Sequence, residues 1–388
     1  MSIKTLLQKF KAKRELEYAF NVGGIYISKK NSGGKEIKRM PKIHEVTLFD
    51  DRTRYTFTLP NGYDPKEIDK KEYVFKQVFC RSLELKGDLK KYVLTVYKHK
   101  MTNEIKYNFC SIKGEIHEYK MPIYCGADRL GKNIIYDMST KPHLLIAGET
   151  GSGKSTQLRQ LLTTLILNFD PTELELYLGD CKKAEFHVFR NVKHVKASVT
   201  RVHEIKAMLE YIQDEMNARY ELIETFGVAH IDDLPKEHKK PYMVVCIDEF
   251  VMLRKEKEIM AALIDLTALG RASNIYVVLS MQRPVKEVLD TTIRSNLTVS
   301  MGFKVRDKIE SRIINTPGAE NIETPGRFYM NNNGRIDELQ APFLSLDECK
   351  KLLEPYLVAP AEAKEVSEEI LQIDQQDELL GGWKDEEA

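Results

Sequence analysis

No stretch of about eighteen apolar residues occurs in this 388-residue chain, and its first residues lack the apolar core and small-residue cleavage site of a secretory signal. A membrane-spanning helix and a secreted protein are therefore not expected, and the expected location is cytoplasmic. The six cysteines, Cys80, Cys110, Cys125, Cys181, Cys246 and Cys349, include no close pair, which argues against a zinc cluster or a disulfide framework. Formal net charge is only +1, so the whole molecule offers no electrostatic case for nucleic acid or an anionic surface. No internal repeat is visible. What is present is 42% hydrophobic and 30% charged content, enough for two or three compact units with their own cores. Charge is unevenly placed. Residues 1–42 carry eleven Lys/Arg against three Asp/Glu, and residues 346–388 carry four against thirteen.

Four segments follow from the pattern along the chain. Residues 1–44 form a basic segment, with a short helix expected over 6–19 and a Gly- and Lys-rich, partly mobile stretch over 23–40. Residues 45–120 read as a small α/β accessory domain: β-rich runs at 45–49, 54–59 and 92–97, turn punctuation at Asn61-Gly62, and a helix over 73–84. From residue 121 to 345 strands alternate with helices, the pattern of a mostly parallel sheet covered by helices. Its expected strands are 143–147, 175–179, 243–247, 276–280 and 298–303, with a long amphipathic helix over 202–226 whose stripe is Ile205, Leu209, Ile212, Met216, Tyr220 and Ile223. Residues 346–388 form an acidic tail with one helix near 362–373.

The strand ending at Ala147 runs into Gly148-Glu149-Thr150-Gly151-Ser152-Gly153-Lys154-Ser155, and a helix follows from Thr156. Glycines admit positive φ, so successive N–H groups can turn inward around phosphates while the helix N-terminus adds its dipole. Lys154 is expected to reach the β- and γ-phosphates of ATP, and the Ser155 hydroxyl to coordinate Mg²⁺. Residues 148–156 form the expected nucleotide-binding set. A second apolar run, Met243-Val244-Val245-Cys246-Ile247, ends in Asp248 and Glu249, placing two carboxylates at the C-terminal edge of a buried strand, where ligands gather in open α/β sheets. Asp248 is the second metal-shell residue, and Glu249 the group that orients and deprotonates water. Past the strand at 276–280, Gln282 has two open readings: a sensor of the γ-phosphate or water, or an ordinary loop amide.

Several segments together resemble one family, the FtsK/SpoIIIE DNA translocases of the FtsK–HerA branch of RecA-like ATPases. They are Gly131-Lys132 to Asp137, Lys141-Pro142-His143, Asp180-Cys181-Lys182-Lys183-Ala184-Glu185-Phe186, Glu215 to Tyr220, Ile247-Asp248-Glu249-Phe250, Gly270-Arg271-Ala272-Ser273-Asn274-Ile275, Gln282-Arg283-Pro284, Ile293 to Asn296, Phe303 to Arg312, and Pro317-Gly318-Ala319-Glu320. The resemblance covers roughly residues 121–330 and is weaker before them. It implies a RecA-like core and a ring, a hexamer, that encloses double-stranded DNA and moves along it as ATP is hydrolysed between subunits. Such a site needs a cation from the neighbouring subunit. Arg271 is the leading candidate, with Arg219, Arg306 and Arg312 open beside it. Phosphate-directed DNA contacts are expected from Lys182, Lys183, Arg283, Lys286 and Arg294.

The family's membrane-spanning N-terminus and winged-helix C-terminus are not recognisable in this sequence, which points to a soluble motor of a plasmid, phage or conjugative element. The basic N-terminal segment is read as a solvated face, or as a site for DNA, a membrane or a relaxosome-type protein. The main rival function is a secretion-system coupling ATPase moving protein or a protein–DNA complex. A third, a non-hydrolysing scaffold, is disfavoured by intact Lys154, Ser155, Asp248 and Glu249.

Overall fold

The computed structural model describes residues 3–30, 36–79, 82–285, 289, 291–363, 367, 368 and 370. The chain divides into two compact units, Met1–Met101 and Thr102–Ala388.

In the first unit an antiparallel sheet runs in the order Lys42–Leu48, Arg52–Thr58, Lys91–Tyr97, Leu83–Asp88. Strand alternation puts Tyr55 and Phe57 on its inner face. Helix Ile3–Val22 lays Leu16, Ala19 and Phe20 on that face, in one core with Phe57 and Phe75. The boundary expected at residue 44 falls inside strand Lys42–Leu48, and the basic segment belongs to the same unit as the strands after it. Within the Gly- and Lys-rich stretch, Ile27–Lys30 pairs with Glu36–Arg39. The helix expected over 73–84 is Glu72–Phe79. Leu83 instead starts a strand that pairs with Lys91–Tyr97, because alternating Leu83 and Leu85 face the same core as Leu94.

The second unit begins before residue 120: helix Phe109–Ile116 packs Ile112 and Ile116 against Tyr124. Its ten-stranded sheet runs Val195–Val199, Leu174–Asp180, Tyr242–Asp248, Ile275–Met281, Leu144–Ala147, Val299–Gly302, Arg327–Asn332, Arg335–Gln340, Pro122–Ala127, Asn133–Asp137. The first six are parallel and the rest antiparallel. The parallel strands are near-continuous apolar runs because both faces are covered. Leu144, Ile146, Val244 and Cys246 face one core with Leu158, Leu161, Leu162 and Leu165 of helix Lys154–Asn168. Leu145, Ala147, Met243, Val245 and Ile247 face the other, with Ile205, Leu209, Ile212 and Met216 of helix Val202–Phe226. Gly227, at φ 62°, ends that helix with the paired bonds Gly227 N–H to Glu224 O and Val228 N–H to Ile223 O.

The start of the acidic segment is built into this unit. Ser345 and Glu348 cap helix Leu346–Leu353 reciprocally, and Cys349 and Leu353 enter the core. Of the helix expected near 362–373, residues 362, 363, 367, 368 and 370 are helical, and the rest lies outside the described residues.

Candidate nucleotide-binding site

Strand Leu144–Ala147 sits between Ile275–Met281 and Val299–Gly302, so the loop after it is held from both sides. Gly148 N–H donates to Met281 O at 3.1 Å and Glu149 N–H to Lys304 O at 2.8 Å. Gly153 caps helix Lys154–Asn168 at φ 106°. A Cβ there would meet the Gly326 backbone at 2.8 Å, and Gly326 N–H itself braces Ser152 O at 2.8 Å. Gly151, at φ 81°, faces open space, so the positive φ rather than crowding is what calls for glycine there. The loop thus fits a phosphate chain on its geometry as well as its spacing.

A cavity of about 830 Å³ opens over it, within the size range of ligand pockets. Loop residues Glu149, Thr150, Gly151, Gly153, Lys154, Ser155 and Thr156 line one side, and Thr324, Pro325, Gly326 and Phe343 the other. Among the described lining residues Lys154 is the only cation, against the carboxylates Glu104, Glu149, Glu185 and Glu323.

Asp248 lies one strand away from the loop strand, with Ile275–Met281 between them. Lys154 Nζ bridges that strand, donating to Asp248 Oδ1 at 2.7 Å and to Ser280 Oγ at 2.8 Å, and the Ser280 hydroxyl donates to Asp248 Oδ1 at 2.6 Å. The Lys154 and Asp248 side chains are each 3% exposed. Glu249 occupies left-handed backbone, φ 53° and ψ 45°, a conformation that costs a non-glycine residue about 1 kcal/mol or more and clusters at functional sites. Its carboxylate accepts from Gln282 N–H at 3.2 Å and from Lys182 Nζ at 2.9 Å. The Gln282 side-chain oxygen accepts from Thr150 Oγ1 at 3.3 Å, so the amide does stand against the phosphate loop.

Several partners carry no signal of their own in the sequence. Ser155 Oγ donates to Glu185 Oε1 at 2.6 Å. Glu185 is held by its backbone N–H, which donates to Asp180 Oδ2 at 2.8 Å, and Asp180 stands in register with Asp248. Asp180 and Glu185 lie in a segment that the family resemblance singled out, but their partners depend on strand order. Beside them, burial and the carboxylates Asp248, Asp180 and Glu249 push the Cys181 thiol up to about 12, so it stays protonated and unreactive. His143, buried at the far end of the loop strand, is pulled down to about 3 by burial, and its Nδ1 accepts from Val277 N–H at 3.0 Å. The ring is a neutral strut.

The arginines separate cleanly. Arg219 is 1% exposed and donates to Glu215, Pro241 O and Ser273 O, which makes it an internal brace unavailable to a neighbour. Arg271 is exposed, with Nε donating to Ser139 O at 3.3 Å. It precedes strand Ile275–Met281, whose other end abuts the loop, so seven residues of strand, about 20 Å, separate it from its own phosphate site. Arg306 and Arg312 are exposed. Of the expected DNA contacts, Lys183 and Arg283 are exposed, Arg294 is half-buried, Lys182 is tied to Glu249, and Lys286 lies outside the described residues.

Glycine loop, cradled helix start and facing carboxylates on a parallel sheet define a P-loop NTPase fold. Residues 113–240, which include the glycine loop, match the model of the FtsK/SpoIIIE family. The chain is similar to the protein named DNA translocase FtsK of Tropheryma whipplei, 31% identical over 265 residues covering 63% of this chain and 36% of that protein. To its namesake in Staphylococcus epidermidis it is 32% identical over 269 residues, 65% of this chain and 34% of that one. The chain thus spans about a third of the length of these relatives. Among solved structures, the conjugation coupling protein TcpA of pCW3, determined as a monomer with ATPγS, shares the fold at TM-score 0.62 and 22% identity over 89% of this chain and 99% of that one. The cytoplasmic domain of the Type VII secretion ATPase EccC of Thermomonospora curvata does so at 0.55 and 24%, over 61% and 31%.

Proposed function

We propose that this chain is the motor subunit of an ATP-driven double-stranded DNA translocase acting as a hexameric ring, in the transfer or segregation of plasmid, phage or conjugative-element DNA. The observation that carries the ring is electrostatic. A nucleoside triphosphate brings several negative charges, yet Lys154 is the only cation among the described residues lining the cavity. Arg271, exposed at the opposite end of the strand about 20 Å away, is too far to serve its own phosphates, and we take it as the cation that serves a neighbour's. The DNA reading rests on relatives named DNA translocase at 31% and 32% identity.

In this reading Lys154 leaves Asp248 for the phosphates, and the N–H groups of Thr150, Gly151, Gly153, Lys154, Ser155 and Thr156 take the phosphate oxygens, those of Gly148, Glu149 and Ser152 being held by backbone carbonyls. Ser155 and Asp248 would hold Mg²⁺, which when bound neutralises phosphate charge. No cluster of three or more His, Cys, Asp or Glu among the described residues could hold a metal by itself, and Mg²⁺ commonly binds through one or two protein oxygens and the substrate phosphates. Glu249 orients the attacking water and takes its proton, and Gln282 reports the state of the phosphate loop to the DNA-facing segment after it.

The test is ATP hydrolysis with and without linear duplex DNA, combined with displacement of a triplex-forming strand. Stimulation by DNA and triplex removal are expected. Hydrolysis indifferent to DNA with the triplex left in place would replace this reading with that of a coupling ATPase for protein or protein–DNA cargo.

The Lys182–Glu249 pair adds a prediction. A cation bonded to the water-activating carboxylate restrains it until Lys182 finds another anion, such as a DNA phosphate. Lys182→Met should raise DNA-independent turnover about 3- to 10-fold, the scale of one half-exposed charge-assisted bond, and shrink the stimulation by DNA. A lower or unchanged basal rate would show that Lys182 does not hold Glu249 back.

A further inference from the structure

We infer that helix Ile3–Val22 docks the first unit onto an anionic lipid surface. The helix has two apolar faces. One, formed by Ala12, Leu16, Ala19 and Phe20, is buried in the core of its unit. The other is Ile3, Leu6, Leu7 and Phe10, spaced i, i+3, i+4, i+7, and these side chains are 81%, 61%, 64% and 62% exposed. At 100° per residue the two faces lie about 145° apart, so the second points away from the core that the first enters.

Four large apolar side chains in one exposed stripe exceed what scattered surface residues require. Their surroundings identify the occupant. Residues 3–14 contain Lys4, Lys9, Lys11, Lys13 and Arg14 and no Asp or Glu, and helical geometry places Lys4 and Lys11 on one flank of the stripe, Lys9 and Lys13 on the other, and Arg14 in line with the stripe one turn beyond Phe10. A protein interface is depleted in lysine, and duplex DNA has no use for an apolar stripe because its backbone is met by charge and hydrogen bonds. Apolar residues sunk at the level of the headgroups, with cations beside them on acidic lipids, account for both features. No described helix is long and apolar enough to cross a membrane, so the contact is interfacial.

The experiment is co-sedimentation of the full chain, at physiological salt, with vesicles of pure phosphatidylcholine and with vesicles containing phosphatidylglycerol. Binding to the anionic vesicles at least about tenfold tighter than to the neutral ones is expected, since several cations act near the surface. The double variant Leu6→Glu/Phe10→Glu should lose that binding while keeping its melting temperature and ATP turnover, because both side chains are exposed. No binding to either vesicle, equal binding to both, or unchanged binding by the variant overturns the inference. So does a concentration-dependent self-association that this variant abolishes, which would assign the stripe to a second copy. Because the readout is lipid binding, its failure would leave the ATPase reading untouched.

Discussion

Lys154→Ala is expected to abolish ATP turnover and, independently, to lower the stability of the nucleotide-free protein. The first effect follows from the cavity, where Lys154 is the only described cation; removing the group that meets the developing phosphate charge should cost at least about 100-fold in rate. The second follows from burial. Asp248 is 3% exposed and accepts hydrogen bonds from Lys154 and Ser280. Taking away the cation strands a buried carboxylate, a loss of about 3 kcal/mol or more, readable as a drop of several degrees in melting temperature. The double variant Lys154→Ala/Asp248→Asn separates the two effects. Its neutral amide can still accept from Ser280, so stability should largely return while turnover does not. If the single variant melts where the parent does, the buried pair contributes nothing to the resting state. If it still hydrolyses ATP, the assignment of this loop is wrong.

Glu249→Gln should bind ATP with an affinity within a few-fold of the parent and lose turnover by about 10² to 10⁴, the range for removing a general base. Neither Asp248 nor Glu249 is among the described residues that line the cavity. Asp248 is bonded to Lys154, and Glu249 to Lys182 and the backbone of Gln282. The substitution keeps size and the oxygen that accepts from Gln282, so nucleotide binding has no reason to change. Titration with a fluorescent ATP analogue and single-turnover hydrolysis measure the two quantities separately. Retained turnover would take Glu249 out of the reaction, and lost binding would make it a structural support of the loop.

Much of the second unit was legible in the chain because its signals are local. A strand buried on both faces must be apolar throughout, and the five strands expected at 143–147, 175–179, 243–247, 276–280 and 298–303 are found within a residue or so of those limits. The long helix falls at Val202–Phe226 as its stripe indicated. Less legible was where a unit ends. The strand at 42–48 and helix Ile3–Val22 share one core, and residues 102–120 pack on the second unit, because a boundary depends on which cores apolar faces choose. The four antiparallel strands of the sheet, and Gly326 just before one of them bracing the loop at Ser152, also left no local mark near residue 153.

Sequence alone determined that a glycine-rich loop of phosphate-binding spacing follows a buried strand and that two acids end another, since both are statements about neighbours along the chain. The tertiary structure decided which groups meet. Lys154 and Asp248 are 94 residues apart and Lys182 and Glu249 are 67, and only the strand order brings them within hydrogen-bonding distance. It likewise took Arg219 from the candidates for a neighbour's site by burying it, and left Arg271 exposed at the far edge. The chemistry of each side chain is a local property, but its partner, and so its charge balance, is set by packing.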